Sequence, residues 1–117
     1  MKFSKKLMDA INKAGWTMTE DDLEYNFQFY SPAGQDFNFC IDKDKAINLN
    51  TLSAEIYDFY NCFDVSEETY MWLDNTGHGK NGAPYDMRDV YKDMEVCEIK
   101  IYELFDIIHN YSVERRW

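Results

Sequence analysis

The stretch DLEYNFQFYSPAGQDFNFCID, from Asp22 to Asp42, decides the fold. In its first half Leu23, Tyr25, Phe27 and Phe29 alternate with Glu24, Asn26 and Gln28. In its second half Phe37, Phe39 and Ile41 alternate with Asn38, Cys40 and Asp42. Successive side chains of a strand point to opposite faces, so period two gives each segment one apolar and one polar face. Between them SPAGQ supplies proline and glycine, the residues of tight turns. The two segments read as a β-hairpin with one aromatic face. The hairpin stands alone or gains a short third strand near Trp16 to Met18. A hairpin by itself is marginal in water, so the rest of the chain must cover that face.

Outward from the hairpin the period becomes helical. Phe3, Leu7, Ile11 and Ala14 recur at helical spacing and Gly15 is a natural stop, which predicts a helix over residues 4–14. Downstream, Asn50 or Thr51 can cap a helix to about Phe63, with Leu52, Ile56, Phe59, Tyr60 and Phe63 on one side. Ser66 can cap a short helix to Asp74, with Val65 stapled against Tyr70. Asp86 caps the longest helix, which runs to about His109. Its apolar positions Met87, Val90, Met94, Cys97, Ile101, Leu104 and Ile108 alternate three- and four-residue steps. That is an a/d seam roughly 34 Å long at about 1.5 Å per residue. The seam covers the hairpin and the shorter helices; a homodimer seam is the alternative. The tail from Tyr111 to Trp117 is expected to fray. The expected fold class is α+β: a single domain over 1–117, with an antiparallel hairpin or three-stranded meander under about four helices.

Composition agrees with a packed core: 45% of the 117 residues are hydrophobic and 17% aromatic, so extended disorder is not expected. The net charge is −10, and its distribution is uneven. Residues 14 to 114 hold 21 acids against 6 bases, and Ala46 to Gly79 holds six acids with no Lys or Arg. Binding of nucleic acid requires positive charge to replace condensed counterions, and an anionic membrane makes the same demand. Both partners are disfavoured, and a basic protein surface is favoured. Cys40, Cys62 and Cys97 are widely spaced, which reads as buried free thiols in a reducing cytosol. The opening MKFSKKLMDAINKAGW has no uninterrupted apolar stretch and no cleavage signature, and no apolar run approaches the roughly 20 residues of a membrane span. A cytoplasmic location is expected.

The loop NTGHGKNGAPYD, Asn75 to Asp86, contains G-x-G-x-x-G at Gly77, Gly79 and Gly82. A dinucleotide site needs a strand before the glycines and a βαβ unit around them; here a helical segment precedes them. Lys80 is followed by Asn81, so the G-K-S/T ending of a P-loop is missing. A calcium loop counted from Asp74 meets His78 and Tyr85 where oxygen ligands belong. The loop reads instead as a helix stop at Gly77 and a helix start at Pro84 and Asp86. A long glycine-rich connection is also a place for partner contact, here with His78 and Lys80. His78 and His109 form no zinc-type spacing with each other or with the cysteines, so no metal, cofactor or catalytic residue is expected.

The acids show more pattern. Asp86, Asp89 and Asp93 fall at i, i+3 and i+7 of the long helix. Glu20, Asp21, Asp22 and Glu24 cluster before the first hairpin strand; Asp58, Asp64, Glu67, Glu68 and Asp74 form a third group. These are either a plain solvated surface or rows of carboxylates that imitate phosphates. Carboxylates three and four residues apart on a helix lie about 5–6 Å from one another, comparable to the spacing along a nucleic-acid strand. The partner-binding set expected on this reading is Asp86, Asp89, Asp93, Glu67, Glu68 and Asp74, with His78 and Lys80 at the loop.

YSPAGQDFNF (30–39), FDVSEETYMWLD (63–74) and GKNGAPYDMRDVYKDME (79–95) resemble a group of small acidic accessory proteins of bacteriophages, conjugative plasmids and integrated elements of gut bacteria. The resemblance covers roughly residues 23 to 108. Neighbours of such proteins in these elements include antirestriction and anti-CRISPR proteins, several of them acidic DNA mimics. The resemblance brings no catalytic residues. Together with the charge, it implies a mobile-element inhibitor that blocks the basic channel of a host defence nuclease, a CRISPR effector or a restriction enzyme. An immunity or antitoxin-type protein that neutralises a basic toxin is the alternative on the same physics. A small enzyme is a third class, which a deep pocket with convergent polar groups would reveal.

Overall fold

A computed structural model describes residues 1–73 and 86–114. The order of elements is α1 (Lys5–Lys13), β1 (Thr17–Glu20), β2 (Glu24–Tyr30), β3 (Asp36–Asp42), α2 (Leu49–Cys62), α3 (Val65–Met71) and α4 (Met87–Glu114). The three strands form an antiparallel meander in the order β1-β2-β3. The class is α+β, with four helices among the described residues, the last of them long, as the alternation and the helical spacing predict.

The sheet sorts its two faces as its sequence alternates. Phe27 stands opposite Phe39 and Phe29 opposite Phe37, and Tyr25, Phe27, Phe29, Phe37, Phe39 and Ile41 are all buried. Asn38 and Cys40 point the other way, to solvent. Leu23 departs from the expected apolar face and is 76% exposed. The cause is the turn before it. Asp21 Oδ1 accepts from the N–H groups of both Leu23 and Glu24, each at 2.8 Å, so the chain is still turning at Leu23 and the strand begins one residue later. Those two bonds also hold the Asp21 carboxyl below its usual range.

Trp16 joins the sheet to the helices. Gly15 follows α1 with φ +96°, a conformation that suits glycine, and so delivers Trp16 into the core. The indole packs on Phe29, Phe39 and Phe37 at centroid distances of 4.6, 5.7 and 6.5 Å. Its Nε1–H donates to the Lys100 carbonyl of α4 at 3.2 Å, and Lys100 Nζ returns a bond to the Ala14 carbonyl at 2.8 Å. From the other side, Phe59 of α2 stacks on Phe39 at 4.3 Å and 9°, and Phe63 meets Phe37 edge-on.

The seam of α4 lies at the centre of the helical layer. Val90, Met94, Cys97, Ile101, Leu104 and Ile108 are fully buried against α1, α2 and α3. The chain's own helices therefore occupy the surface that a homodimer seam would have used; only Met87, at the first turn, is exposed. α4 continues to Glu114, so the expected fraying does not apply to residues 111–114, and residues 115–117 of that tail lie outside the described residues. Ser112 is buried and the Tyr111 hydroxyl donates to Ser4 Oγ, which ties this last turn to the start of α1.

Two caps lie upstream of the residues that the sequence suggests. Asn48, not Asn50 or Thr51, caps α2 in a reciprocal box: Asn48 Oδ1 accepts from Thr51 N–H at 2.9 Å, and Thr51 Oγ1 accepts from Asn48 N–H at 3.0 Å. Asp64, not Ser66, caps α3, accepting from the N–H groups of Ser66 and Glu67. This places Val65 inside the helix and leaves Tyr70 66% exposed, so no staple forms between them.

The thiols also differ from expectation. Cys97 is buried, while Cys40 and Cys62 are exposed. Burial, with the charges of Asp93 and Glu68 added, pushes the Cys97 thiol up to about 12. Partial burial and the carboxylates of Glu24, Asp21 and Asp42 raise Cys40 as well. Iodoacetamide at neutral pH is therefore expected to label Cys62 fastest, Cys40 more slowly and Cys97 only after denaturation. Mass spectrometry of timed samples checks this order; early labelling of Cys97 would contradict the closed seam.

Candidate functional site

On α4 the residue that follows each buried seam position forms a second row: Tyr91, Glu95, Glu98, Tyr102, Phe105 and His109. One residue is a rotation of about 100° around the helix, so this row borders the seam along its length. It meets α2. Phe105 packs on Tyr57 at 4.9 Å, Tyr102 meets Tyr60 edge-on at 5.2 Å, and His109 stacks on Phe105 at 5.2 Å and 18°. These rings are not sealed in: Tyr57 is 40% exposed and Tyr102 45%.

Two open clefts lie along this junction. One, of about 280 Å³, is lined by Tyr57, Asp58, Phe105 and His109 with Asn50, Ser53 and Ala54. The other, of about 370 Å³, lies where α3 begins, with Asp64, Glu95, Glu98 and Tyr91 on its walls. The Tyr60–Tyr102 pair stands at the next contact of the two helices. The two clefts share no lining residue; with the ring pair between them they line one helix junction, here called the acidic groove, with rings and carboxylates. Neither α2 nor α3 contains a Lys or Arg.

The acids expected from sequence are dispersed by the fold. Asp86 and Asp89 are exposed, and Asp86 Oδ1 accepts from Asp89 N–H at 3.0 Å, so Asp86 caps α4 as expected. That bond holds its carboxyl below the usual range. Asp93 does not share their face. It is 4% exposed, and its Oδ1 accepts from Ala33 N–H at 3.2 Å. The hairpin turn, closed by Ser31, Gly34 and Gln35, rests on α4 at this point and covers the carboxylate. A carboxylate so covered cannot serve as the third rung of a surface ladder. Glu67 is exposed in the first turn of α3, and Glu68 is half-buried. Asp74, His78, Lys80 and the glycine-rich loop lie outside the described residues.

Glu68 lines a cleft of about 440 Å³ with Phe37, Phe39, Phe59, Met71 and Trp72. Burial raises its carboxyl above the usual 4.5, a hydrogen bond with Trp72 offsets part of this, and the Glu67 charge adds to it. The folded chain holds this proton more tightly than the unfolded chain. That contribution to stability is present below the unfolded value and is lost as pH rises through the folded one. Glu68→Gln is thus expected to be more stable than the parent at pH 7 and to lose that advantage toward pH 4. Urea unfolding of both proteins at the two pH values checks the sign.

A further cavity, of about 680 Å³, lies between the N-terminus and the start of α2. Its main polar groups are helix caps that are already engaged, Ser4 Oγ with Leu7 N–H and Asn48 Oδ1 with Thr51 N–H. Among the described residues, no group of three or more His, Cys, Asp or Glu could hold a metal ion, and no helix is long and apolar enough to cross a membrane. The acidic groove is thus the feature with the most distinct chemistry. Sequence reading passed over Tyr57, Tyr102, Phe105, Glu95 and Glu98; the available signal was the row one residue after the seam. No family model, no curated protein and no solved structure matches this chain.

Proposed function

We propose that this chain is a stoichiometric inhibitor from a mobile element, which covers the basic nucleic-acid channel of a host defence nuclease. One observation carries the reading: the α2–α3 segment has no basic residue, and its carboxylates join those of α4 along one groove. Such a surface repels phosphate and attracts the Lys- and Arg-rich walls that normally hold phosphate. Carboxylates at helical spacing stand about 5–6 Å apart, close enough to one another to meet a row of phosphate-binding cations. The buried Asp93 drops out of this surface, and Asp58, Asp64, Glu95 and Glu98 enter it. A cytoplasmic site of action goes with the proposed target.

The test is protection of phage DNA in cells. The chain is expressed in hosts that each carry one defined restriction or CRISPR system, and a sensitive phage is plated. The reading expects plating to rise in at least one host, and to fall back when Asp58, Glu95 and Glu98 are changed to their amides. Protection in no host, or protection that survives the amide changes, contradicts it.

A further inference from the structure

We infer that the α2–α4 groove selects arginine: its occupant is an arginine-rich segment of the partner, with guanidinium planes on the Tyr57 and Tyr102 rings and their charge against Asp58, Glu95 and Glu98. This rests on the proposed function for the sign of the partner and adds which cation it presents and where.

Three observations converge. The rings are half-exposed rather than buried, with Tyr57 at 40%, Tyr91 at 41% and Tyr102 at 45%. Large ring faces open to water favour a planar, weakly hydrated group. Next, each cleft pairs rings with carboxylates: Asp58 lies beside Tyr57 and Phe105, and Glu95 and Glu98 beside Tyr91. Aromatic platforms also bind single-stranded nucleic acid, but there a positive groove follows the phosphates. Here the walls are negative and repel the phosphate that a base brings with it, whereas a cation is favoured twice. Finally, among the described residues no Lys or Arg lies over these rings. Among the described residues, the cation–ring contact is Lys43 over Tyr25 on the sheet, and Lys100 turns to the Ala14 carbonyl.

Arginine fits this set better than lysine. Guanidinium is planar, stacks on ring faces, and can bond a carboxylate through two N–H groups at once. Ammonium is compact and strongly hydrated, and gives up water less readily to lie on a ring. A purely electrostatic surface would not distinguish the two.

The experiment titrates the full chain with oligo-arginine and oligo-lysine of equal length, by calorimetry at low ionic strength. The arginine peptide is expected to bind about tenfold more tightly, the combined effect of two or three ring contacts. Tyr57→Leu with Tyr102→Leu should bring arginine down to the lysine level, while Tyr57→Phe with Tyr102→Phe should keep the preference, because the ring faces remain. Circular dichroism shows whether the leucine variant is folded; if it is not, the comparison of the two peptides on the parent chain and on the phenylalanine variant decides. Equal affinities, or a preference that the leucine variant retains, overturn the arginine assignment and leave the acidic reading standing. Binding of neither peptide overturns both.

Discussion

Trp16→Ala is expected to remove about 3–5 kcal/mol of folding stability, the usual loss for a large aromatic in a closed core. Domains of this size have roughly 5–15 kcal/mol in total, so the variant would stand at the edge of folding. The site has little means of collapsing around the gap. Trp16 is 1% exposed and contacts Phe29, Phe37 and Phe39 across two strands. Its indole N–H also donates to the Lys100 carbonyl, one of two polar links from this corner to α4, the other being Lys100 Nζ to the Ala14 carbonyl. Trp16→Phe keeps much of the packing and loses that bond, for a smaller cost of about 1–2 kcal/mol. Urea unfolding measures both, and the midpoint should move with little change in slope. A loss below about 1 kcal/mol for the alanine variant would mean that the sheet and α4 are not joined through this residue.

Changing Asp58→Asn, Glu95→Gln and Glu98→Gln together is expected to weaken an arginine-rich partner by about 10–100-fold, at about 0.5–1 kcal/mol for each partly solvated charge. Much of this should enter through slower association, since peripheral charges act by steering. Folding stability should stay level or rise, because the net charge of −10 opposes compaction and the amides reduce it. Stopped-flow association and thermal unfolding on the same preparations separate the two effects. A variant that loses stability together with affinity would point to a structural role for these acids.

The hairpin strands and the helices were legible because single periods decide them, whereas β1, with no alternation of burial, was not. Phe27 and Phe39 sit where period two places them, and Val90 to Ile108 where the 3-4 seam places them. Cap positions were less legible. Asn48 and Asn50 are both cap residues by type, and the choice between them depends on the reciprocal bond with Thr51. The acid ladder misled for a geometric reason. Asp86, Asp89 and Asp93 each precede a seam residue, so they form a row about 100° from the seam, on the side opposite the row that meets α2. At Asp93 the hairpin turn reaches that row and covers it. Nothing in the local sequence announces a contact between Ala33 and Asp93, which are 60 residues apart. The row that follows the seam faces α2 instead, and its alternation of ring and acid has meaning only once α2 lies beside it. The candidate groove was thus present in the sequence as a pattern but needed the helix pairing to become a site.

On the proposed function, an acidic face of this protein covers a basic nucleic-acid-binding surface. The most direct test is affinity capture of the tagged chain from a lysate of a defence-proficient host, eluted with a salt gradient and identified by mass spectrometry. Exposed charges are screened beyond about 10 Å at 0.1 M salt, so such a complex should release as salt rises. The expected capture is a nucleic-acid-handling protein that elutes with salt and whose nucleic-acid binding the purified chain competes away. Capture of nothing, or of a partner that resists high salt and still binds its nucleic acid, would contradict it.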